Sequence, residues 1–161
     1  MSGLDAPEIA AAYCAVRDNS DATNWLILSN PPPPAPESRT GTPATANTLV
    51  LTQTGTGGFA ELRHALLSPG SDSTVAYGYV RIQYANDAES MRTKFALVVW
   101  IGERTNVMRK ARVSIEAGQV AAVLNHASIQ ISASCADDLV ESDVVARLRR
   151  AGGADYNGGR G

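Results

Sequence analysis

The stretch that most constrains the fold is residues 95–101, FALVVWI, where seven consecutive side chains are apolar. A strand with one solvated face alternates polar and apolar side chains, whereas a strand covered on both faces is apolar throughout. The run therefore predicts the central strand of an α/β sandwich, with helices on both faces of the sheet. Lys94 directly precedes the run, and we expect it to mark where this strand reaches the surface.

The rest of the chain supplies the helices and strands that such a sandwich needs. Apolar side chains recur at helical spacing in some segments and alternate in others, with turn-forming residues between them. The patterns predict helices over 7–16, 59–67, 108–124 and 137–150, and strands over 24–29, 48–52, 74–84, 95–101 and 128–134. The order is α-β-β-α-β-β-α-β-α. Short loops imply antiparallel neighbours, and the helix before the last strand implies one parallel crossover in a mixed sheet of about five strands.

Two helices carry further expectations. Asp5 can cap the first helix, which has Pro7 in its first turn. The third helix has two adjacent apolar sides and one polar face. The first apolar side holds Met108, Ala111, Ile115 and Ala122, the second holds Val113, Ala117, Val120 and Leu124, and the polar face holds Arg109, Arg112, Glu116 and Gln119.

Residues 29–47 contain six of the eight prolines in the chain. Proline lacks an amide proton and has a fixed φ, so the segment is predicted to be neither helix nor sheet but a solvated, partly extended loop. One interpretation is an inserted hairpin loop. The other is that Pro31–Pro34 binds an SH3-type or profilin-type module. We prefer the first because the tract is short.

No motif in the sequence indicates an enzyme or a cofactor site. The glycines of GTGG, 55–58, are not followed by Gly-Lys-Ser/Thr, which favours a turn over a phosphate-binding loop. Cys14 and Cys135 have no CxxC spacing, and neither His64 nor His126 has a second ligand at metal-binding spacing. We therefore expect two structural thiols and no catalysis, metal or cofactor. A small enzyme or nucleotide-binding domain is the alternative that a nucleotide-induced thermal shift would reveal.

The formal net charge is −2, yet the basic residues are clustered. Between residues 92 and 112 six cations accompany a single carboxylate, Glu103, and a second group, Arg147, Arg149 and Arg150, lies near the C-terminus. This segregation indicates a basic face directed at an acidic partner, although a solvated face without a partner has the same composition. The tail contains one Gly-Gly-Arg-Gly, too little for an RNA-binding repeat, so nucleic acid is not expected.

The sequence lacks the two signals that would direct it to a membrane. No stretch approaches the roughly 18 consecutive apolar residues that a membrane span needs. The N-terminus has no basic start followed by an apolar run, as a signal peptide would. We therefore expect a cytoplasmic protein.

The chain is expected to form one domain over 1–156, followed by a flexible tail over 157–161.

Three segments resemble the coactosin group of the actin-depolymerising-factor homology (ADF-H) family. They are AAYCAVRDNSDATNWLIL at 11–28, KFALVVWIGE at 94–103 and LRRAGGADY at 148–156. The resemblance extends over nearly the whole chain, from about Glu8 to Tyr156. It implies a single ADF-H domain in which 29–47 is an insertion, since the family usually has a short link there.

The resemblance also implies a function. The protein would be a monomer that acts in the actin cytoskeleton, where it binds the sides of actin filaments without catalysis and can oppose capping. The resemblance places actin contacts at the head of the KFAL strand, before AGG, and at the start of the third helix. The residues at these places are Lys94, Arg149, Arg150, Met108, Arg109, Lys110 and Arg112. We expect Lys94 and the start of the third helix to emerge close together.

Some features leave alternatives open within this family. Arg149 and Arg150 stand where lysines are common, which keeps the charge but changes the contact geometry. An ADF/cofilin-like protein would instead bind actin monomers and sever filaments, and observation of single filaments separates the two because only a severing protein produces breaks. Ser2 resembles the regulatory serine of cofilins, so phosphorylation there is a further hypothesis.

Overall fold

The structure, a computed structural model, describes residues 4–30, 48–85 and 90–158, with side chains up to Ala151. The proline-rich segment from Pro31 to Asn47, with the SH3-type or profilin-type hypothesis attached to it, lies outside the described residues. Ser2 lies outside them as well, and so do residues 86–89 between the two longest strands.

The described residues form the helices and strands in the order that the sequence predicts. They are α1 (Pro7–Arg17), β1 (Trp25–Ser29), β2 (Val50–Gly55), α2 (Gly58–Leu66), β3 (Val75–Ala85), β4 (Met91–Ile101), α3 (Val107–Val123), β5 (Ile129–Ala133) and α4 (Glu141–Gly158). Short 3-10 turns precede β3 and α4, at Ser71–Ser73 and Ala136–Asp138.

One mixed sheet contains the five described strands in the order β2-β1-β3-β4-β5. Every neighbouring pair is antiparallel except β4 and β5, which are parallel because α3 carries the chain back across the sheet. The ladder between β3 and β4 runs from Val75 opposite Ile101 to Ala85 opposite Met91. The neighbours of these two strands are shorter, since β1 pairs with 76–80 and β5 pairs with 96–100.

Helices cover both faces of the sheet, so the predicted sandwich is confirmed. One apolar cluster joins α2 and α4 to the face that carries Trp25, Val98 and Trp100. The other joins α1 and α3 to the face that carries Tyr79 and Leu97. Burial on both faces explains why residues 96–100 contain no polar side chain.

Several predicted boundaries are wrong, and tertiary contacts explain the differences. The N-cap of α1 is Ala6, whose extended backbone has no side-chain cap, and Asp5 lies in the preceding turn. Pairing with β1 places β2 at Val50–Gly55, and pairing with β3 extends β4 back to Met91, so Lys94 lies inside the strand. Asp138 accepts a hydrogen bond from Ser134 N at 3.0 Å within a turn, and α4 begins only afterwards.

Candidate functional site

The first half of α3 presents an apolar surface to solvent. The Asn106 side chain caps the helix by accepting from Met108 N at 2.8 Å. Met108 and Ile115 are 74% and 72% exposed, and Val107 at the helix start is 76% exposed. The side predicted to hold Met108, Ala111, Ile115 and Ala122 therefore faces outward. Val107 and Ile115 were not among the predicted site residues, and helical periodicity was the signal available for Ile115.

The polar face assigned to Arg109 and Glu116 is wrong, because both side chains turn toward the sheet. Arg109 Nη2 lies 2.6 Å from Glu116 Oε1, and the two side chains are 18% and 8% exposed. Tyr77 of β3 donates to the same Glu116 oxygen at 2.7 Å, and Arg109 Nε donates to Asn30 Oδ1 at 3.0 Å. Burial, with the Glu116 carboxylate next to it, raises the pKa of Tyr77. Tyr77, which helps to satisfy the buried Glu116 carboxylate, comes from strand β3 and not from the helix itself.

The remaining cations near the start of α3 stay at the surface. Lys110 and Arg112 are exposed, and Lys110 Nζ donates to the carbonyl oxygen of Glu103 at 3.0 Å. Arg104 forms an exposed ion pair with Asp72 at 3.5 Å. Such pairs contribute little to stability because water screens them. We use the name α3 surface for Val107, Met108, Lys110, Arg112 and Ile115.

A second basic group lies at the far end of the β3–β4 hairpin. Lys94 is half-buried opposite Ile82, and the strand alternation turns it toward the face covered by α4. Arg149 of α4 reaches the end of this ladder, where its Nη2 donates to Ala85 O at 3.0 Å and its guanidinium lies 5.6 Å from the centre of the Tyr84 ring.

Arg150, next to Arg149, is exposed, as is Arg92 on β4. We use the name hairpin surface for Arg92, Lys94, Arg149 and Arg150. The contacts of Arg149 fix the C-terminal part of α4 against the hairpin, which holds the two halves of this surface together.

The two surfaces lie at opposite ends of β4, so the expectation that Lys94 and the start of α3 emerge together is wrong. Ile101 follows Lys94 by seven residues of continuous strand. At about 3.3 Å per residue, this part of the strand places Lys94 about 23 Å from Ile101. The basic residues between 92 and 112 thus belong to two surfaces, because a buried strand carries the chain from one to the other.

No metal centre is seen in the part of the chain that the structure describes. No group of three or more His, Cys, Asp or Glu side chains there could hold a metal ion. An open cleft of about 470 Å³ lies beside Asn30, Ser71 and Trp100, and the described residues that line it include no histidine, cysteine or carboxylate. None of the helices in the described ranges has the length and apolar character needed to cross a membrane.

Comparison with known proteins identifies the fold and the family. The family model for cofilin/tropomyosin-type actin-binding proteins matches residues 2–149. Coactosin of Dictyostelium discoideum is 32% identical over 160 residues, which cover 99% of this chain and 98% of that relative. The two proteins therefore correspond over almost their full lengths.

Solved structures agree with the sequence comparison. The crystal structure of coactosin from Entamoeba histolytica matches with a TM-score of 0.77 at 28% identity, covering 96% of this chain and all of that chain (100%). The solution structure of mouse coactosin, described as an actin filament binding protein, matches with a TM-score of 0.64 at 26% identity, covering 92% and 90%. The ADF-H fold is confirmed. The chain belongs to the cofilin/tropomyosin-type actin-binding protein family, and coactosins are among its relatives.

Proposed function

We propose that this protein binds the sides of actin filaments, using the α3 surface and the hairpin surface together. The observation that carries the proposal is the presence of two exposed cationic surfaces at opposite ends of one rigid sheet. Such spacing suits a partner built from repeated subunits, because each surface can meet a different subunit. The mouse relative's description as an actin filament binding protein supports the same choice.

The two surfaces differ in chemistry, which suggests a division of roles. The α3 surface combines apolar side chains, Met108 and Ile115, with the cation of Lys110, so it can bury area as well as attract acidic groups. The hairpin surface has three arginines and one lysine, and it suits long-range attraction to an acidic filament. Binding should therefore weaken as salt concentration rises, since exposed charges are screened.

Six of the seven residues predicted as actin contacts keep that role in the proposal. They are Lys94, Met108, Lys110, Arg112, Arg149 and Arg150. Arg149 has the additional task of holding α4 against the hairpin. As a filament-side binder the protein would act in the cytoplasm as a monomer, without catalysis, and would oppose capping where it covers filament ends.

Lys94→Ala tests the proposal directly. We expect at least tenfold weaker co-sedimentation with filaments, because a cation at a contact surface is lost. Gln83→Ala is the control, since it shortens an exposed neutral side chain on the adjacent strand. Thermal unfolding of both variants should match the unaltered protein. Unchanged pelleting of a folded Lys94→Ala variant would remove this lysine from the site.

A cofilin-like activity is the second candidate, favoured by the exposed apolar pair Met108 and Ile115, which could equally occupy a groove on an actin monomer. Imaging of single filaments separates the two functions. A filament-side binder should decorate filaments without raising the frequency of breaks, whereas frequent breaks would establish the cofilin-like activity.

A further inference from the structure

We propose that Arg109 is a positioning residue, whose buried ion pair with Glu116 holds the α3 surface in its place without touching actin. The inference rests on the proposed function, because the α3 surface is the one proposed to contact the filament. It reverses the role that the sequence suggests for Arg109, which was expected to be a contact in its own right.

The ion pair attaches α3 to the centre of the sheet. Glu116 follows Arg109 by two helical turns, so both side chains lie on one side of the helix. Glu116 Oε1 accepts from Arg109 Nη2 at 2.6 Å and from the Tyr77 hydroxyl at 2.7 Å. Tyr77 is fully buried on β3, which pairs with both β1 and β4. One carboxylate oxygen thus joins the helix to a central strand.

Arg109 makes a further link to the ends of the β1–β2 connection. Its Nε donates to Asn30 Oδ1 at 3.0 Å, and Asn30 Nδ2 donates to Thr48 O at 3.0 Å. Arg109 Nη1 is buried and has no hydrogen-bond partner among the described residues. Because Nε and Nη2 are hydrogen-bonded within the protein and Nη1 is buried, few donor groups of the guanidinium remain accessible to a binding partner.

Among the described residues, Arg109 is the first side chain of α3 that packs toward the sheet. Between Val107 and Arg112 every side chain is exposed except that of Arg109, and the next buried side chain is Val113. Residues on a helix are spaced by about 100°, so Met108 and Ile115 point about 100–120° away from Arg109. Loss of the ion pair would remove this inward contact, and we expect the first turns of α3 to shift and to carry both apolar side chains out of position.

Three variants separate positioning from contact. Arg109→Met leaves a buried carboxylate unpaired and should lower the unfolding midpoint by about 10 °C. Arg109→Met combined with Glu116→Leu and Tyr77→Phe replaces the whole network by apolar groups, and should restore the midpoint to near the unaltered value. Lys110→Met is the matched control, because it removes an exposed cation of the same helix and should leave the midpoint unchanged.

Filament pelleting is measured in the cold, where circular dichroism shows each variant to be folded. Arg109→Met should bind about tenfold more weakly, and the triple variant should bind almost as the unaltered chain does. Normal binding by Arg109→Met would mean a merely structural role and would overturn the proposal. A folded triple variant that binds as weakly as Arg109→Met would show that Arg109 is itself a contact, and would overturn it too.

Two further measurements keep the test decisive. If the triple variant does not fold, Arg109→Lys is used, since it keeps the charge but cannot reach both Glu116 and Asn30. Weakened binding then supports positioning, and unchanged binding contradicts it. If the unaltered protein does not pellet, the proposed function fails, and amide exchange at the start of α3 decides alone. Faster exchange in Arg109→Met, restored in the triple variant, supports the positioning role, whereas equal exchange overturns it.

Discussion

The hydroxyl of Tyr77 donates to Glu116 Oε1 inside the interface between β3 and α3. Alternation along residues 74–84 predicts that Tyr77 shares a side with Val75 and Tyr79, and the structure confirms it. The burial of Glu116 could not be predicted in this way. Glu116 lies 39 residues from Tyr77, and charged residues are rarely buried unless a partner is present. Sequence patterns describe each residue's own polarity, whereas a partner from another strand is a property of the fold.

The two buried tyrosines predict a fall in stability at alkaline pH. Burial raises the pKa of both Tyr77 and Tyr79 above the value of 10.0 typical of an exposed tyrosine. Their stabilising contribution is complete below pH 10 and is lost above it, because the unfolded chain then releases these protons first. The free energy of unfolding should fall by up to about 1.4 kcal/mol per pH unit for each tyrosine.

Urea unfolding at a series of pH values above 10 measures this slope. Tyr79→Phe removes the hydroxyl that donates to Asn125 O. The free energy of unfolding should then fall less steeply with pH, by up to about 1.4 kcal/mol per pH unit. An identical slope in that variant would mean that Tyr79 ionises as readily in the folded protein as in the unfolded chain.

At the scale of elements, α3 shows where periodicity stops being informative. Its sequence has two adjacent apolar sides, and periodicity alone does not say which of them packs on the sheet. The side with Val113 and Val120 is buried, and the side with Met108 and Ile115 is exposed. Beside the buried apolar side, the Arg109–Glu116 ion pair faces the sheet and contacts Tyr77. Exposed apolar side chains of this kind commonly mark a surface that binds another protein.

Two truncations on α3 should have opposite effects. Val120→Ala empties a fully buried position and should reduce the free energy of unfolding by about 2 kcal/mol. Ile115→Ala removes an exposed side chain and should change the free energy of unfolding by no more than about 0.5 kcal/mol. Filament pelleting should be weaker for Ile115→Ala, and unaffected for Val120→Ala at temperatures where it is folded. The reverse pattern, measured by urea unfolding and pelleting, would contradict the orientation of α3.

At the scale of the whole molecule, the order and packing of the elements were predictable, whereas distances between them were not. The apolar run at 95–101 and the short connections were enough to predict a mixed sheet between two layers of helices. The separation of Lys94 from Lys110 was not predicted. The two lysines are only 16 residues apart in the sequence, yet β4 carries the chain from one end of the sheet to the other between them. The resemblance of three segments to coactosins identified candidate residues. The direction of β4 was needed to see that these residues form two separate surfaces.

Because the two surfaces are separate, we expect them to contribute independently to the free energy of filament binding. Lys94→Ala and Lys110→Ala lie far apart and share no described contact, so their effects on the free energy of filament binding should add to within about 0.5 kcal/mol. A double-mutant cycle based on pelleting at constant salt measures the coupling. A larger coupling energy would indicate that the two lysines meet the same group on the filament, which two separated surfaces do not allow.

The unequal strand lengths described above also bear on solubility. Within the described sheet, residues 82–85 and 91–94 pair only with each other, which leaves outward-facing backbone groups on both sides of the hairpin. Such edges invite strands from other copies to add on, and charged side chains along them discourage it. Arg92 and Lys94 occupy one edge, and Arg149 engages the carbonyl of Ala85 on the other. Replacing these cations with apolar, β-branched residues would therefore favour aggregation of the protein even in the absence of actin.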